Sequence, residues 1–458
     1  MLIFTKIDFK AQTIQHITKM SYRIHLNELS IKEKKDIEET LNIETPDGTS
    51  TLFDLDDIKE NVFIPFNFAK KFKLNRPEKI IYDTTSFTGT LRPNQVNDRD
   101  KCLKILEREG CVILAAPPGF GKTITAIDMM CKLKQKTIIF VKQCILQEQW
   151  TTSLRTFAPN MVVQLVKSGK KINKEADVYI VNPIILKPQK TFEKRLKAIQ
   201  RHEFSHVKLL IVDELHQIVS NILLKAFFKV EPDYLIGLSA TPRRPANDPF
   251  EKAISLFFGS HIVGQQLFHK HEVYMIESSF TPDEVKYTNN KVDWNHILTT
   301  QSENEERNNK IVEIVSSNPD RVWLILVKRV LHAERLKKMF EEKNRPCETL
   351  TGTKTVFDKQ CKILIGTTCK IGVGFDHSPI NALFVAADVV EYFEQFLGRC
   401  MRTPDTVPIV YDMEDTFSIL KRHAKSRLDS YVKHGGEIKL CPTNTAYNKN
   451  IKMFIKKQ

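Results

Sequence analysis

Between residues 111 and 241, short apolar runs alternate with longer amphipathic stretches: CVILAA, KTIIFV, DVYIVNP, VKLLIVDE and YLIGLSAT. Each run is apolar at nearly every position rather than at alternate ones. That pattern fits parallel strands covered on both faces by the intervening helices. The rhythm returns from 322 to 413 in VWLILV, CETLTG, CKILIGT, ALFVAA and VPIVYDM. The spacing predicts an α/β chain with two doubly wound parallel sheets in tandem, each presenting ligand groups at the carboxyl ends of its strands. Residues 281–320 are polar and strand-poor (TTQSENEERNNK), as expected of a linker or peripheral segment. The first 85 residues differ. Ser30 and Glu33 open SIKEKKDIEETLNI as a capping box and TPDGTS makes a turn, which predicts a small, separate α+β accessory domain. Near the other end HGGE breaks the last amphipathic helix, and the final eighteen residues hold four lysines and no acid. The expected organisation is therefore an accessory domain at 1–85, a first sheet domain at 86–280, a linker at 281–320, a second sheet domain at 321–435 and a basic tail at 436–458.

At 458 residues the chain exceeds one ordinary core. Its net charge of +14 fits a polyanionic partner such as nucleic acid, and fits equally a lysine-rich solvated surface. No run of eighteen apolar residues and no signal-peptide pattern at Met1 are present, so a soluble intracellular chain without a membrane partner is expected. Nine cysteines with no C-x-x-C pair suit reduced thiols.

The stretch APPGFGKT, residues 116 to 123, lies between a predicted strand and a predicted helix. It matches the phosphate-binding pattern G-x-x-x-x-G-K-S/T except that Ala116 replaces the first glycine. Pro118, Gly119, Phe120 and Gly121 would form the loop whose N–H groups surround phosphates. Lys122 adds a point charge and Thr123 a hydroxyl for magnesium. In IVDELH, Asp213 is placed to hold Mg2+ and Glu214 to deprotonate an attacking water. His216, two residues on, is a γ-phosphate sensor, a link to the next motif or, taken by itself, a surface histidine. Ser239 and Thr241 in GLSATPRR are small hydroxyl residues at a strand end, able to relay a change of state. No phosphate loop occurs in the second half, so its role should be to complete the first site. There QFLGRCMR places Arg399 and Arg402 three apart, on one face of a helix, as arginine fingers for a γ-phosphate. In IGTTCKIGVGFD, Gly374 allows close backbone approach and Asp376 a bond to a ribose hydroxyl; a plain turn accounts for both equally.

The ordered set LRPNQ, APPGFGKT, IVDELH, LSATP, ILIGTTCKIGVGFD and QFLGRCMR resembles the superfamily 2 helicases and translocases of the DExH kind, over about residues 86 to 435. The likeness is greatest to the XPB and UvsW group and to the poxvirus-type transcript-release helicases of large DNA viruses. ILQEQW, ending in Gln149 and Trp150, supports that subgroup. The resemblance implies two RecA-like domains, ATP as substrate with Mg2+, and an ATP hydrolase. It implies Arg92 and Gln95 at the adenine, Lys122 and Thr123 at phosphates and metal, and Asp376 at the ribose. Arg399 and Arg402 would meet the γ-phosphate, and Gln395 would join His216, Ser239 and Thr241 in coupling. Nucleic acid, DNA before RNA, would be held through its phosphates by segments after Val141, Val181, Val327 and Gly352. The chain would act as a monomer, with transcription or replication machinery as possible partners. Its place would be the infected cytoplasm or the virion if the source is viral. Val373 departs from the glutamate of many relatives, and the short spacing between TLTG and CKILIG removes room for the usual long helix.

HEFSH, residues 202 to 206, matches a zinc-protease signature but abuts a core strand and lacks a third ligand, so it reads as a polar helix end. Three rivals remain open from sequence: an RNA helicase, a non-hydrolysing nucleotide-binding module of a polymerase or repair complex, and a small-molecule kinase. Substrate-stimulated ATPase rates distinguish them.

Overall fold

A computed structural model describes residues 21–45, 48–55, 60–72, 86–186, 201–243, 248–264, 268–282, 285, 287–288, 291–354, 356–372, 375, 377–390, 393–401 and 406–439. The amino-terminal part forms β1 (Ser21–His25), α1 (Ile31–Leu41), the hairpin β2 (Asn42–Thr45) and β3 (Gly48–Thr51), β4 (Asp54–Leu55), β5 (Asn61–Pro65) and α2 (Phe66–Ala69). β1, β5 and β4 make a three-stranded antiparallel sheet. The Ser30–Glu33 capping box at the start of α1 is formed in full, with Ser30 N donating to Glu33 Oε2 at 2.8 Å.

The accessory part is α+β, as the sequence predicts, but it is not a separate core. Ile24, Ile37, Leu41, Ile64, Phe66 and Phe68 are buried in one cluster with Ile113, Phe140, Val212 and Phe257 of the following domain. Lys225 Nζ donates to Thr51 O at 2.8 Å and Phe53 O at 3.1 Å, and Asn67 Nδ2 to Ser255 O at 3.2 Å.

The helix α3 (Pro93–Glu109) begins with proline in its first turn and stops at Gly110, whose φ is 77°. Then follow β6 (Cys111–Ala115), α4 (Lys122–Leu133), β7 (Thr137–Phe140), α5 (Cys144–Phe157), β8 (Val163–Val166), β9 (Val178–Val181), β10 (Leu209–Val212), β11 (Tyr234–Ser239) and β12 (Ile262–Gly264). The sheet order is β12-β6-β11-β10-β7-β9-β8, and every pairing is parallel. Period-2 alternation divides the strand residues between two cores: Ile113, Ile138 and Leu210 face one cluster, while Val112, Ile139 and Ile211 face the other. All five strands expected from the apolar runs are present. β8 and β12 are additional edge strands.

The second sheet comprises β13 (His271–Ser278), β14 (Trp323–Val327), β15 (Glu348–Leu350), β16 (Ile363–Thr367), β17 (Ala382–Val385), β18 (Ile409–Asp415) and β19 (Gly436–Lys439). Their order is β15-β16-β14-β17-β18-β13-β19, again all parallel. Three expected boundaries shift as a result. β13 pairs with β18 from Glu272 to Ser278, so the first domain does not extend to 280; the chain divides after Gly264. Within 281–320, the helix Glu305–Ser316 buries Ile311, Val312 and Val315 in the second core, so this segment is part of that domain. Residues 436–439 form β19 beside β13 rather than the start of a tail. Residues 440–458 lie outside the described residues. Among the described residues, no helix is long and apolar enough to cross a membrane.

Candidate functional site

At the carboxyl end of β6 the chain turns through the loop into α4. Gly121, the residue before the helix, has φ 92°, and Phe120 N donates back to Pro117 O at 3.2 Å. Lys122 and Thr123 occupy the first turn of α4, where backbone N–H groups have no carbonyl four residues back. Ala116 is buried and is not among the described non-glycine residues with positive φ, so the loop needs no glycine there. A Cβ on Gly121 would lie 2.4 Å from Gln95 Nε2 and 3.5 Å from Arg92 Nη2, which places both predicted adenine-side residues against the loop. Gln95 is buried and its Oε1 accepts from Arg92 N at 2.7 Å. Arg99, one turn further along α3, pairs with Asp128 of α4 and ties the two helices together.

β10 lies between β11 and β7, so the residues that leave it emerge at the middle of the sheet. Asp213 N donates to Phe140 O at 3.0 Å. The Asp213 side chain is buried; Oδ2 accepts from Trp150 Nε1 at 2.8 Å and Oδ1 from Glu214 N at 3.0 Å. Burial first, and then the Glu214 charge, push the Asp213 carboxyl above the ordinary range. The Trp150 bond, the Lys122 ammonium and the Glu214 N–H pull it back, so Lys122 and Asp213 act on one another electrostatically. Glu214 adopts φ 47° and ψ 55°, a left-handed conformation unusual for this residue type. Its Oε2 is buried without a hydrogen-bond partner, 3.5 Å from His216 Nδ1. His216 Nδ1 shares a 2.9 Å bond with Ser239 Oγ, and Ser239 Oγ accepts from Thr241 N at 3.1 Å. His216 and Ser239, both buried, and the half-buried Thr241 therefore form one hydrogen-bonded chain between the ends of β10 and β11.

In the second domain Gln395 is buried in the helix Phe393–Leu397. That helix ends before Arg399, which corrects the expectation of two arginines on one helical face: Arg399 N closes a turn onto Phe396 O at 3.0 Å. Arg399 Nη1 donates to Phe375 O at 2.5 Å and Nη2 to Gly372 O at 2.9 Å. Arg402, Gly374, Asp376 and Val373 lie outside the described residues. In the HEFSH stretch, His206 Nε2 bonds Tyr179 Oη at 2.7 Å. Among the described residues no group of three or more His, Cys, Asp or Glu is arranged to hold a metal.

Sequence reasoning gave Trp150 no role beyond marking the subgroup. The available signal was spacing: Gln147, Trp150 and Leu154 at i, i+3 and i+7 share the inner face of α5, and a buried indole N–H needs an acceptor.

Residues 88–244 match the family model described as "Type III restriction enzyme, res subunit". The "Putative helicase 161L" of Invertebrate iridescent virus 6 is 37% identical over 451 residues, covering 92% of this chain and 99% of that one. The "Transcript termination protein A18" of Cowpox virus is 28% identical over 334 residues, covering 65% and 64% respectively. Among solved structures, S. cerevisiae Dbp5 bound to RNA and ADP BeF3 matches with a TM-score of 0.53 at 14% identity, over 80% of this chain and 97% of that chain, a likeness of fold. With 37% identity to a viral helicase over nearly the whole of both chains, and with two tandem parallel sheets, the protein belongs to the superfamily 2 helicases of large DNA viruses.

Proposed function

We propose that this helicase is an ATP-driven DNA translocase in which Lys122, Thr123, Asp213 and Glu214 form the hydrolytic centre. The observation that carries the reading is the carboxylate pair at the end of β10: Asp213 is buried and feels the Lys122 charge, and Glu214 beside it keeps a buried oxygen without a hydrogen bond. Two adjacent carboxylates with spare acceptor capacity are hard oxygen donors suited to a hydrated divalent cation. Thr123 Oγ1 and Asp213 would hold Mg2+, which when bound screens phosphate charge as the terminal phosphoryl group leaves. Lys122 binds the β- and γ-phosphates. Glu214 accepts the proton of the attacking water while that water's oxygen bonds to the γ-phosphorus and the bond to the bridging oxygen breaks, giving ADP and phosphate.

Arg92 and Gln95 lie against the loop and are assigned to the adenine end of ATP. His216, Ser239 and Thr241 are assigned to coupling, because they connect the carboxylate segment to the next strand end in one hydrogen-bonded chain; Gln395 is assigned to coupling on the family resemblance alone. Arg399 and Arg402 are assigned to the γ-phosphate, and Gly374 and Asp376 to the ribose, on the family resemblance. For Arg399 this role requires release from the Phe375 and Gly372 carbonyls. Nucleic acid is assigned to the segments after the strand ends, where Lys142 and Lys328 are exposed. Gripping phosphates rather than bases gives sequence-independent binding. The transcript termination name of the Cowpox virus relative supports a role in viral transcription.

Glu214→Gln is expected to keep ATP binding and lose turnover by at least about 100-fold, the usual scale for a general base. Titration with a fluorescent ATP analogue and a phosphate-release assay measure the two separately. Full residual hydrolysis would remove the assignment. Rates with duplex DNA, single strands and RNA decide the polymer: stimulation by RNA alone would replace DNA with RNA in this reading, and no basal ATPase at all would favour a binding module.

A further inference from the structure

Trp150 carries none of the roles assigned above, yet it is the side chain that touches the Asp213 carboxylate from outside the motif. α5 is fixed at its start by Gln147 Nε2, which donates to Val141 O at 3.1 Å just past β7. One turn later Trp150 is 1% exposed, packed in the cluster that holds Leu154, Ile139 and Ile211. Its ring is immobilised there, and Nε1 donates to Asp213 Oδ2 at 2.8 Å. The other oxygen takes the Glu214 N–H at 3.0 Å. A carboxylate torsion is broad and nearly two-fold, so one backbone donor alone sets its plane poorly. Two donors from different elements set it well. Indole is a donor only, so it cannot compete for the cation itself.

We infer that Trp150 is a positioning residue for Asp213, holding Oδ2 so that the carboxylate's remaining lone pairs point one way, toward a hydrated divalent cation. The inference rests on the reading that Asp213 holds the metal. Partners of this outer kind typically change metal affinity about 10- to 100-fold.

The test is Trp150→Phe, which keeps most of the packing and deletes the N–H. Mn2+ affinity of the ADP-bound protein, read from the free-ion electron paramagnetic resonance signal, is expected to weaken about 10-fold. The Mg2+ concentration for half-maximal ATPase should rise in parallel, with the ATP KM at saturating Mg2+ changed less than about 2-fold. Leu154→Val, a packing loss one turn away, should lower the melting temperature and leave Mn2+ affinity alone. Wild-type Mn2+ affinity in W150F, or an equal loss in L154V, would show that Trp150 only packs. Should W150F fail to fold, benzothienylalanine at position 150, which has the shape of tryptophan without its N–H, gives the same reading. D213N separates the two levels. If it binds Mn2+ as wild type does, the metal role of Asp213 fails; if it loses Mn2+ while W150F does not, only the present inference fails.

Discussion

Gly121 leaves little room for a side chain in the phosphate loop. Its φ of 92° is one that L side chains rarely adopt, and an added Cβ would meet Gln95 Nε2 at 2.4 Å. Gln95 has little room to yield, because it is buried and held by Arg92 N at 2.7 Å. Gly121→Ala is therefore expected to cost about 1–3 kcal/mol locally and to weaken nucleotide binding at least about 10-fold while leaving the circular dichroism spectrum intact. Fluorescent nucleotide titration beside thermal melting checks this; unchanged affinity would mean that the loop does not set the phosphate position. The places of Lys122, Asp213 and Glu214 beside the ends of β6 and β10 were legible in sequence, because a phosphate-loop pattern and a carboxylate pair are local patterns attached to predicted strands. The left-handed backbone of Glu214 and the Trp150 bond were not, since both depend on packing between segments far apart in the chain. Arg399 was misplaced for a local reason: Gly398 follows Leu397, glycine continues a helix poorly, and the helix stops there.

At the scale of elements, the apolar runs revealed five strands of each sheet, the β15 edge among them, while β8 and β12 of the first sheet and β13 and β19 of the second escaped. β13 reads HEVYMIES, with polar residues between apolar ones, and β19 has only four residues, so neither carries the continuous run of a doubly covered strand. The segment TTQSENEERNNK misled more instructively. Its polarity suggested solvent, but Gln301, Ser302, Arg307 and Asn308 are buried. Arg307 Nε donates to Asp415 Oδ1 at 2.6 Å, Gln301 Nε2 to Asp415 Oδ2 at 2.6 Å, and Asn308 Oδ1 shares a 2.9 Å bond with His332 Nε2. A polar run satisfied within the fold looks the same in sequence as one that faces water. Burial, then the charges of Arg307 and Arg335, lower the His332 pKa from 6.5 to about 3. The unfolded chain thus takes up this proton first. Stability from the neutral ring is complete above about pH 6.5 and is lost as pH falls toward 3, at about 1.4 kcal/mol per pH unit. Melting temperatures between pH 7 and 4 should fall more steeply for wild type than for His332→Gln. Parallel curves would show that His332 does not titrate on unfolding.

For the whole molecule, the net charge of +14 admits two physical meanings, a lysine-rich solvated surface or a phosphate-binding one, and salt dependence separates them. In each sheet all strands run parallel, so the segments after Val141 and Val327 leave at the carboxyl ends of their own sheets, and Lys142 and Lys328 are exposed there. If such side chains neutralise about five to eight phosphates, released counterions give a slope of log K against log salt of about −4 to −6 on single strands and about −5 to −7 on duplex. Oligonucleotides of equal length and shuffled sequence should bind within a few-fold of one another, because the contacts carry no base information. Lys142→Ala and Lys328→Ala should each weaken all sequences alike and make the slope shallower by about one. These are surface changes away from the core, so the melting temperature should stay nearly constant. Fluorescence anisotropy across a salt series reads both quantities from one set of curves. A slope near zero, or an unchanged slope in both variants, would assign the positive charge to solubility and move the nucleic-acid path away from these strand ends.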